Sequence, residues 1–262
     1  YFAERFEVPA RDGLRIAHLS DLHISRPRRQ LTRLVNQLLA LRLDLIFLTG
    51  DYMNEPGDEP VALERLAVLC GQFRPRIGSF GVFGNHDTLA FREEARKIPH
   101  VRWLHNESAA LEALPIEVMG LDQAFEEHPD AVQLLLRRDK PASPEQAARG
   151  AGRSLKLMLV HSPSAIPTAA DMGVDIAFSG HTHGGQIRPW GKPLVNASDL
   201  PLRLTSGLLR HKDTLITISR GLGETGFLRQ RWLCRPHVPI YTLRRRSFPG
   251  RYSDTIEVLQ AW

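Results

Sequence analysis

A chain of 262 residues, 42% hydrophobic and 24% charged, can bury a sizeable core and is too apolar for wholesale disorder. No apolar stretch reaches the roughly 18 to 20 residues that a membrane-crossing helix needs, and the most apolar one, LVNQLLALRLDLIFLTG, is broken by Arg42 and Asp44. The formal net charge of +5 and a sequence pI near 9.5 suit an anionic partner (a phosphate compound, a nucleic acid, an acidic membrane) or else a solvated arginine-rich exterior.

Short apolar runs alternate with amphipathic stretches along the chain. LRIAHLSDLH reads as a strand whose apolar part ends at Ser20. RQLTRLVNQLLALR follows with Leu31, Leu34, Val35, Leu38 and Leu39 at helical spacing. LDLIFLTGD is a continuous apolar run, as expected of a strand buried on both faces. PVALERLAVLCGQF predicts a helix closed by Gly71; GSFGVFGNHD predicts a strand and DTLAFREEARKI another helix. The apolar run in AVQLLLRR, Val132 to Leu136, predicts a helix that packs on a sheet or serves as a membrane-facing lid. Residues 138–153 are polar and rich in proline and alanine, which predicts a flexible connection or lid inside one domain spanning 1–262. Strands return in LKLMLVHS, VDIAFSGH, TLITISRG and VPIYTLRR. Strand–loop–helix alternation of this kind predicts an α/β protein with sheets inside and helices outside.

Five apolar runs end in the same chemistry. LSDLH supplies Asp21 and His23, LTGDYMN supplies Asp51, and FGNHD supplies Asn85, His86 and Asp87. LVHSP supplies His161, and FSGHTHGG supplies His181 and His183. Each has a bland explanation alone: Asp51 could cap the next segment, Asn85 could serve a turn, and His161 could be a core histidine satisfied by a carbonyl. Their recurrence at the ends of five strands, where loops of layered α/β proteins converge, defeats those explanations together. Oxygen and imidazole ligands without a thiolate suit Zn²⁺, Mn²⁺ or Fe. Cys70 and Cys234 form no metal-type pair, and whether they bond to each other is open.

In order, DLH, GD, GNHD, the isolated His161 and GHTH resemble the motif set D-x-H, G-D, G-N-H-D/E, H and G-H-x-H of the calcineurin-like metallophosphoesterases. GHTHGGQ and SRGLGETG resemble the small bacterial branch of that family, which includes a hydrolase of UDP-diacylglucosamine. The resemblance spans about Arg15 to Leu243. It implies a four-layer α-β-β-α sandwich of two mixed sheets and a dinuclear centre, with Mn²⁺ foremost and Zn²⁺ or Fe as alternatives. Asp21, His23, Asp51 and His183 would hold one ion, and Asp51, Asn85, His161 and His181 the other, with Asp51 bridging. His181 and His183, alternating on an extended segment, would point to different ions. Two cations roughly 3.5 to 4 Å apart would neutralise the phosphoester and lower the pKa of a bridging water for in-line attack. His86 would protonate the leaving group or stabilise its charge. Asp87 would orient a histidine or serve the N-terminus of the following helix, beside Thr88. Phosphoprotein phosphatases of the family carry an acid where this chain has Asn54, a departure that disfavours a protein phosphatase and favours a substrate with an easier leaving group.

For the substrate, Arg26, Arg28 and Arg29 follow His23 directly and, with Arg188 and Arg220, are candidates to meet a second phosphate or an acidic headgroup. Arg244 to Arg246 could touch an anionic membrane. The leading expectation is a phosphodiesterase or pyrophosphatase acting on a small or lipid-linked phosphoester, located in the cytoplasm or peripherally at the inner membrane. The chain begins at Tyr1, and a removed signal or anchor ahead of it remains open. A nuclease and a non-catalytic metal-stabilised module are the alternatives. An aromatic content of 7% without basic–aromatic interleaving weighs against nucleic acid; the oligomeric state is not legible.

Overall fold

A computed structural model of the chain describes residues 2–3, 13–25, 36–111, 114–121, 154–171, 173–194, 201–225, 230–248 and 251–261. Within them a seven-stranded sheet runs in the order β1 (Phe2–Ala3), β13 (Arg251–Ala261), β12 (Ile240–Phe248), β2 (Leu14–Leu19), β3 (Leu45–Thr49), β4 (Gly78–Val82), β5 (Arg102–Trp103). A six-stranded sheet runs β10 (Gly207–His211), β11 (Thr214–Ile218), β9 (Ile176–Ser179), β8 (Leu155–Leu159), β7 (Ile116–Gly120), β6 (Glu107–Ala110). Both are mixed: β2–β3–β4–β5 and β7–β8–β9–β11 are parallel, whereas β12 joins β2 and β10 joins β11 antiparallel.

Alternation along each strand builds the layers. Leu45 and Phe47 of β3 enter the cluster between the sheets, where Phe47 meets Phe178 of β9 edge-on at 4.8 Å between ring centres. Ile46 and Leu48 face the other way, against Leu66, Leu69 and Cys70 of α1 (Glu59–Gln72) and Phe91 of α2 (Leu89–Ala95). On the far side Met158 of β8 and Ala177 of β9 pack on Ile166 and Ala169 of α3 (Ile166–Asp171). A strand buried on both faces therefore reads as an unbroken apolar run. Each large apolar side chain removed from water contributes about 1.5–3 kcal/mol.

Helix α1 continues through Gly71 to Gln72 and stops because Phe73 turns extended and buries its ring in the helix-side core, so the expected glycine stop does not occur. Strands β5, β6, β7 and β10 lie in segments not predicted as strands, being short or polar at alternate positions. Of the helix expected over 29–42 only residues 36–39 are described as helical. The apolar run at 132–136 and the connection at 138–153 lie outside the described residues. Among the described residues no helix is long and apolar enough to cross a membrane.

Candidate metal centre

The loops leaving β2, β3, β4, β8, β9 and β11 meet at one edge of the sandwich, tied by backbone bonds. Asp21 N–H donates to Gly50 O at 3.0 Å, His23 N–H to Asp51 O at 3.0 Å, Gly180 N–H to His161 O at 3.0 Å and Leu222 N–H to Ser20 O at 3.2 Å. Asp21, His23, Asp51, His181 and His183 all have positive φ, between 42° and 68°. Non-glycine residues rarely adopt this left-handed region, and it costs of order 1 kcal/mol or more at each. Concentration of strain at five candidate ligands shows that the surrounding bonds impose these conformations.

Asp87 is the main enforcer. Its buried carboxylate accepts N–H bonds from Asp51 (3.0 Å), Tyr52 (2.8 Å), Met53 (3.3 Å) and Gly84 (2.8 Å). It neither orients a histidine nor caps α2; Thr88 takes the capping role, accepting the Phe91 N–H. A carboxylate has enough lone pairs for four donors, so one side chain clamps the loop after β3 to the loop after β4.

Asp51 Oδ2 lies 3.1 Å from His161 Nε2 and 3.5 Å from His23 Nε2. His23 Nε2 is 3.0 Å from His183 Nε2, which is 3.4 Å from Asp21 Oδ1. On the other side His181 Nδ1 is 3.2 Å from His161 Nε2. One donor atom from each of Asp21, His23, Asp51 and His183 falls within a 4.8 Å group, and likewise from Asp51, His161 and His181. His181 and His183 thus face different groups, but not by strand alternation. The segment is a tight turn, with Thr182 in the right-handed region and the two histidines in the left-handed one.

Charge and burial fit this donor set to divalent cations. Burial pushes the Asp21 carboxyl up to about 6 and the His23 imidazole down to about 3, and drives His183 well below its ordinary value, aided by neighbouring His23 and Arg231. Burial also raises Asp51, yet the adjacent His161, with His23 and His86, outweighs it and holds that carboxyl far below the usual range. His161 Nδ1 donates to Thr49 O at 2.7 Å, which turns Nε2 toward Asp51 Oδ2. Asp21 Oδ2 is buried without a hydrogen-bond partner, an expensive arrangement that positive charge beside the carboxylate would relieve.

His86 is half-buried beside this cluster, its ring edge-on to His23 at 4.7 Å. Its backbone N–H donates to Asp51 Oδ1 at 2.9 Å, and its Nδ1 lies 2.5 Å from the Asn54 carbonyl oxygen. The backbone of residue 54, not its amide side chain, is therefore what holds the ring. Asn85 occupies the same turn, exposed, between β4 and α2.

The arginines divide. Arg26, Arg28 and Arg29 lie outside the described residues. Arg188 directs its guanidinium into its own loop, donating to Gly184 O (2.9 Å), Thr205 Oγ1 (3.1 Å) and Gly191 O (2.8 Å), and so acts as an internal brace. Arg220 is half-buried over Gly184, its guanidinium pKa lowered by burial. Arg231, which sequence reasoning did not single out, donates to Gly223 O at 2.6 Å and Arg220 O at 2.7 Å and lies 3.2 Å from His183 Nδ1, steadying that ring. Cys234, a free thiol, sits 3.4 Å from His183 O. Neither partner had a readable signature, because their contacts run mostly through backbone oxygens.

Comparison with known proteins agrees with this arrangement. The chain is 32% identical over 230 residues to the Bacillus subtilis metallophosphoesterase YkoQ, covering 84% of this chain and 80% of that one. It is 27% identical over 290 residues to the UDP-2,3-diacylglucosamine pyrophosphatase LpxG of Chlamydia trachomatis (86% and 82% covered) and 28% over 243 to the Escherichia coli phosphodiesterase YaeI (87% and 82%). The Haemophilus influenzae NAD nucleotidase shares the fold, with a TM-score of 0.54 at 12% identity over 95% of this chain and 49% of that one. The family model of the calcineurin-like phosphoesterases matches residues 14–185, and the chain belongs to that family of metal-dependent phosphoester hydrolases.

Proposed function

We propose that this protein hydrolyses a phosphodiester or pyrophosphate bond at a dinuclear centre within a single domain. The observation that supports the reading is Asp51, which belongs to both donor groups and whose Oδ2 lies 3.5 Å from His23 Nε2 and 3.1 Å from His161 Nε2, as a bridging ligand would require. Asp21, His23, Asp51 and His183 would hold one cation; Asp51, His161 and His181, with Asn85 from the adjoining turn, would hold the other. Bound divalent ions, Mn²⁺ foremost, supply charge neutralisation and Lewis acidity.

The chain's own residues supply the rest. His86 keeps its Nδ1–H on the Asn54 carbonyl, so its Nε2 is the nitrogen left to face a leaving oxygen. A carbonyl fixes ring and tautomer without the full charge of a carboxylate, in keeping with a substrate whose leaving group needs limited protonation. The names of LpxG and YaeI support a diester or pyrophosphate, and LpxG supports a lipid-linked one. The test is turnover of bis(p-nitrophenyl) phosphate with Mn²⁺, followed by a panel that includes UDP-2,3-diacylglucosamine and glycerophosphodiesters. No turnover on any of them, or unchanged turnover in Asp51→Ala, refutes the proposal.

A further inference from the structure

The loop that carries His181 and His183 continues into an unusual surface. Trp190 is 92% exposed, and its φ of 52° is in the left-handed region. Leu233, 63% exposed, has φ of 54°, and its neighbour Trp232 is 56% exposed. Large apolar residues in strained turns are disfavoured twice, by hydration and by backbone, so the fold must hold them out.

The bracing is explicit. Gly191 N–H donates to Arg188 O and Lys192 N–H to Pro189 O, both at 3.1 Å, while Arg188 Nη2 holds Gly191 O at 2.8 Å. Leu194, 59% exposed, donates its N–H to Ile187 O at 3.1 Å. The second turn is stitched to the first: Trp232 N–H donates to Gln186 O and Arg188 N–H to Trp232 O, each at 2.9 Å. Behind it Arg231 and Cys234 contact His183 O. The two protruding turns and the His183 ligand therefore form one bonded unit.

The charge of the surface selects its occupant. Residues 186–194 and 230–236 contain Arg188, Lys192, Arg231 and Arg235 and no acidic residue, with Lys192 and Arg235 exposed. Tryptophan and leucine protruding among cations match the boundary of an anionic bilayer, where indole rings sit at headgroup depth and cations meet lipid phosphates.

We infer that the Trp190 turn and the Trp232–Leu233 turn dock the protein on an anionic lipid surface, bringing the candidate metal centre to headgroup level. The idea deepens the lipid-linked reading of the substrate and rests on it for its purpose, though vesicle binding is measured independently of hydrolysis.

The experiment is flotation with vesicles of phosphatidylglycerol and phosphatidylcholine, alongside vesicles of phosphatidylcholine alone, using the wild-type chain and a Trp190→Asn/Leu233→Asn double variant. Asparagine tolerates the left-handed turn, so the backbone should survive. Thermal melting and hydrolysis of soluble bis(p-nitrophenyl) phosphate serve as fold controls. The wild type should float with the anionic vesicles, and the variant should bind at least about tenfold more weakly while both controls hold, as expected from losing two buried anchors. Wild type that stays with the soluble fraction, equal flotation on neutral vesicles, or a variant that floats as well as wild type overturns the proposal. So does a wild-type dimer in sedimentation that the double substitution dissociates without any vesicle binding, since the patch would then be a contact between copies. Vesicle binding without any phosphoester turnover would sink the hydrolase reading and leave the docking surface standing.

Discussion

Asp87 holds Asp51: its carboxylate accepts the Asp51 backbone N–H at 3.0 Å and, through Gly84 N–H at 2.8 Å, fastens the loop carrying His86 to the same point. The candidate bridging ligand and the candidate proton donor are thus set by one buried side chain.

Asp87→Ala should orphan buried N–H groups, each costing about 1–3 kcal/mol. Urea denaturation should show a lowered midpoint, and metal affinity measured by calorimetry should fall about 10- to 100-fold, as for groups that orient ligands. An unchanged midpoint would show that the clamp contributes little.

Metal loading should raise the melting temperature, because ions bind the folded ligand group and not the unfolded chain. Asp51→Asn removes the charge shared by both groups, so the variant should show little melting shift with Mn²⁺ and reduced metal content by elemental analysis. Retention of full metal content would argue against a bridge.

His86→Ala should keep its metal and lose about 10²–10⁴ in rate on an alkyl-leaving-group diester. The loss should be smaller on bis(p-nitrophenyl) phosphate, whose leaving group departs without a proton. Equal losses on both substrates would assign the residue a positioning task instead.

At Gly180 a Cβ would collide with Ser20 Oγ and Asp21 Oδ2, and at Gly84 with Asp51 Oδ1. Gly180→Ala should therefore displace the Asp21 carboxylate. The expected result is weakened metal binding with a retained circular dichroism spectrum.

His18, buried on β2, has its imidazole pushed down to about 3 by burial and by the nearby His237. Because the folded value lies below the unfolded one of about 6.5, its neutral form stabilises the fold above pH 6.5, and that contribution is lost as pH falls towards 3. At about 1.4 kcal/mol per pKa unit this amounts to a few kcal/mol. His18→Gln should blunt the fall of the urea midpoint between pH 6.5 and 4; a parallel fall in both proteins would exclude His18 as a source of acid lability.

The residues that converge in the structure were legible because each follows an apolar run, and a parallel strand delivers its next residues to the sheet edge. Asp21, His23, Asp51, His161, His181 and His183 could be picked out on that rule. Two stacked sheets could not be told from one by alternation alone, since both arrangements produce the same rhythm; the family resemblance separated them. The divergence of His181 and His183 was attributed to an extended segment because positive φ has no residue-type signature except at glycine. The tasks of Asp87, Arg231 and the Asn54 carbonyl depend on backbone atoms that every residue carries, so no letter announces them.

On the proposed dinuclear reading, an aspartate common to both donor groups means that the two ions would not bind independently. Whatever factor the first ion imposes on the affinity of the second, the second imposes on the first, by thermodynamic reciprocity. Occupancy of such a centre would therefore follow a coupled isotherm rather than the sum of two separate ones.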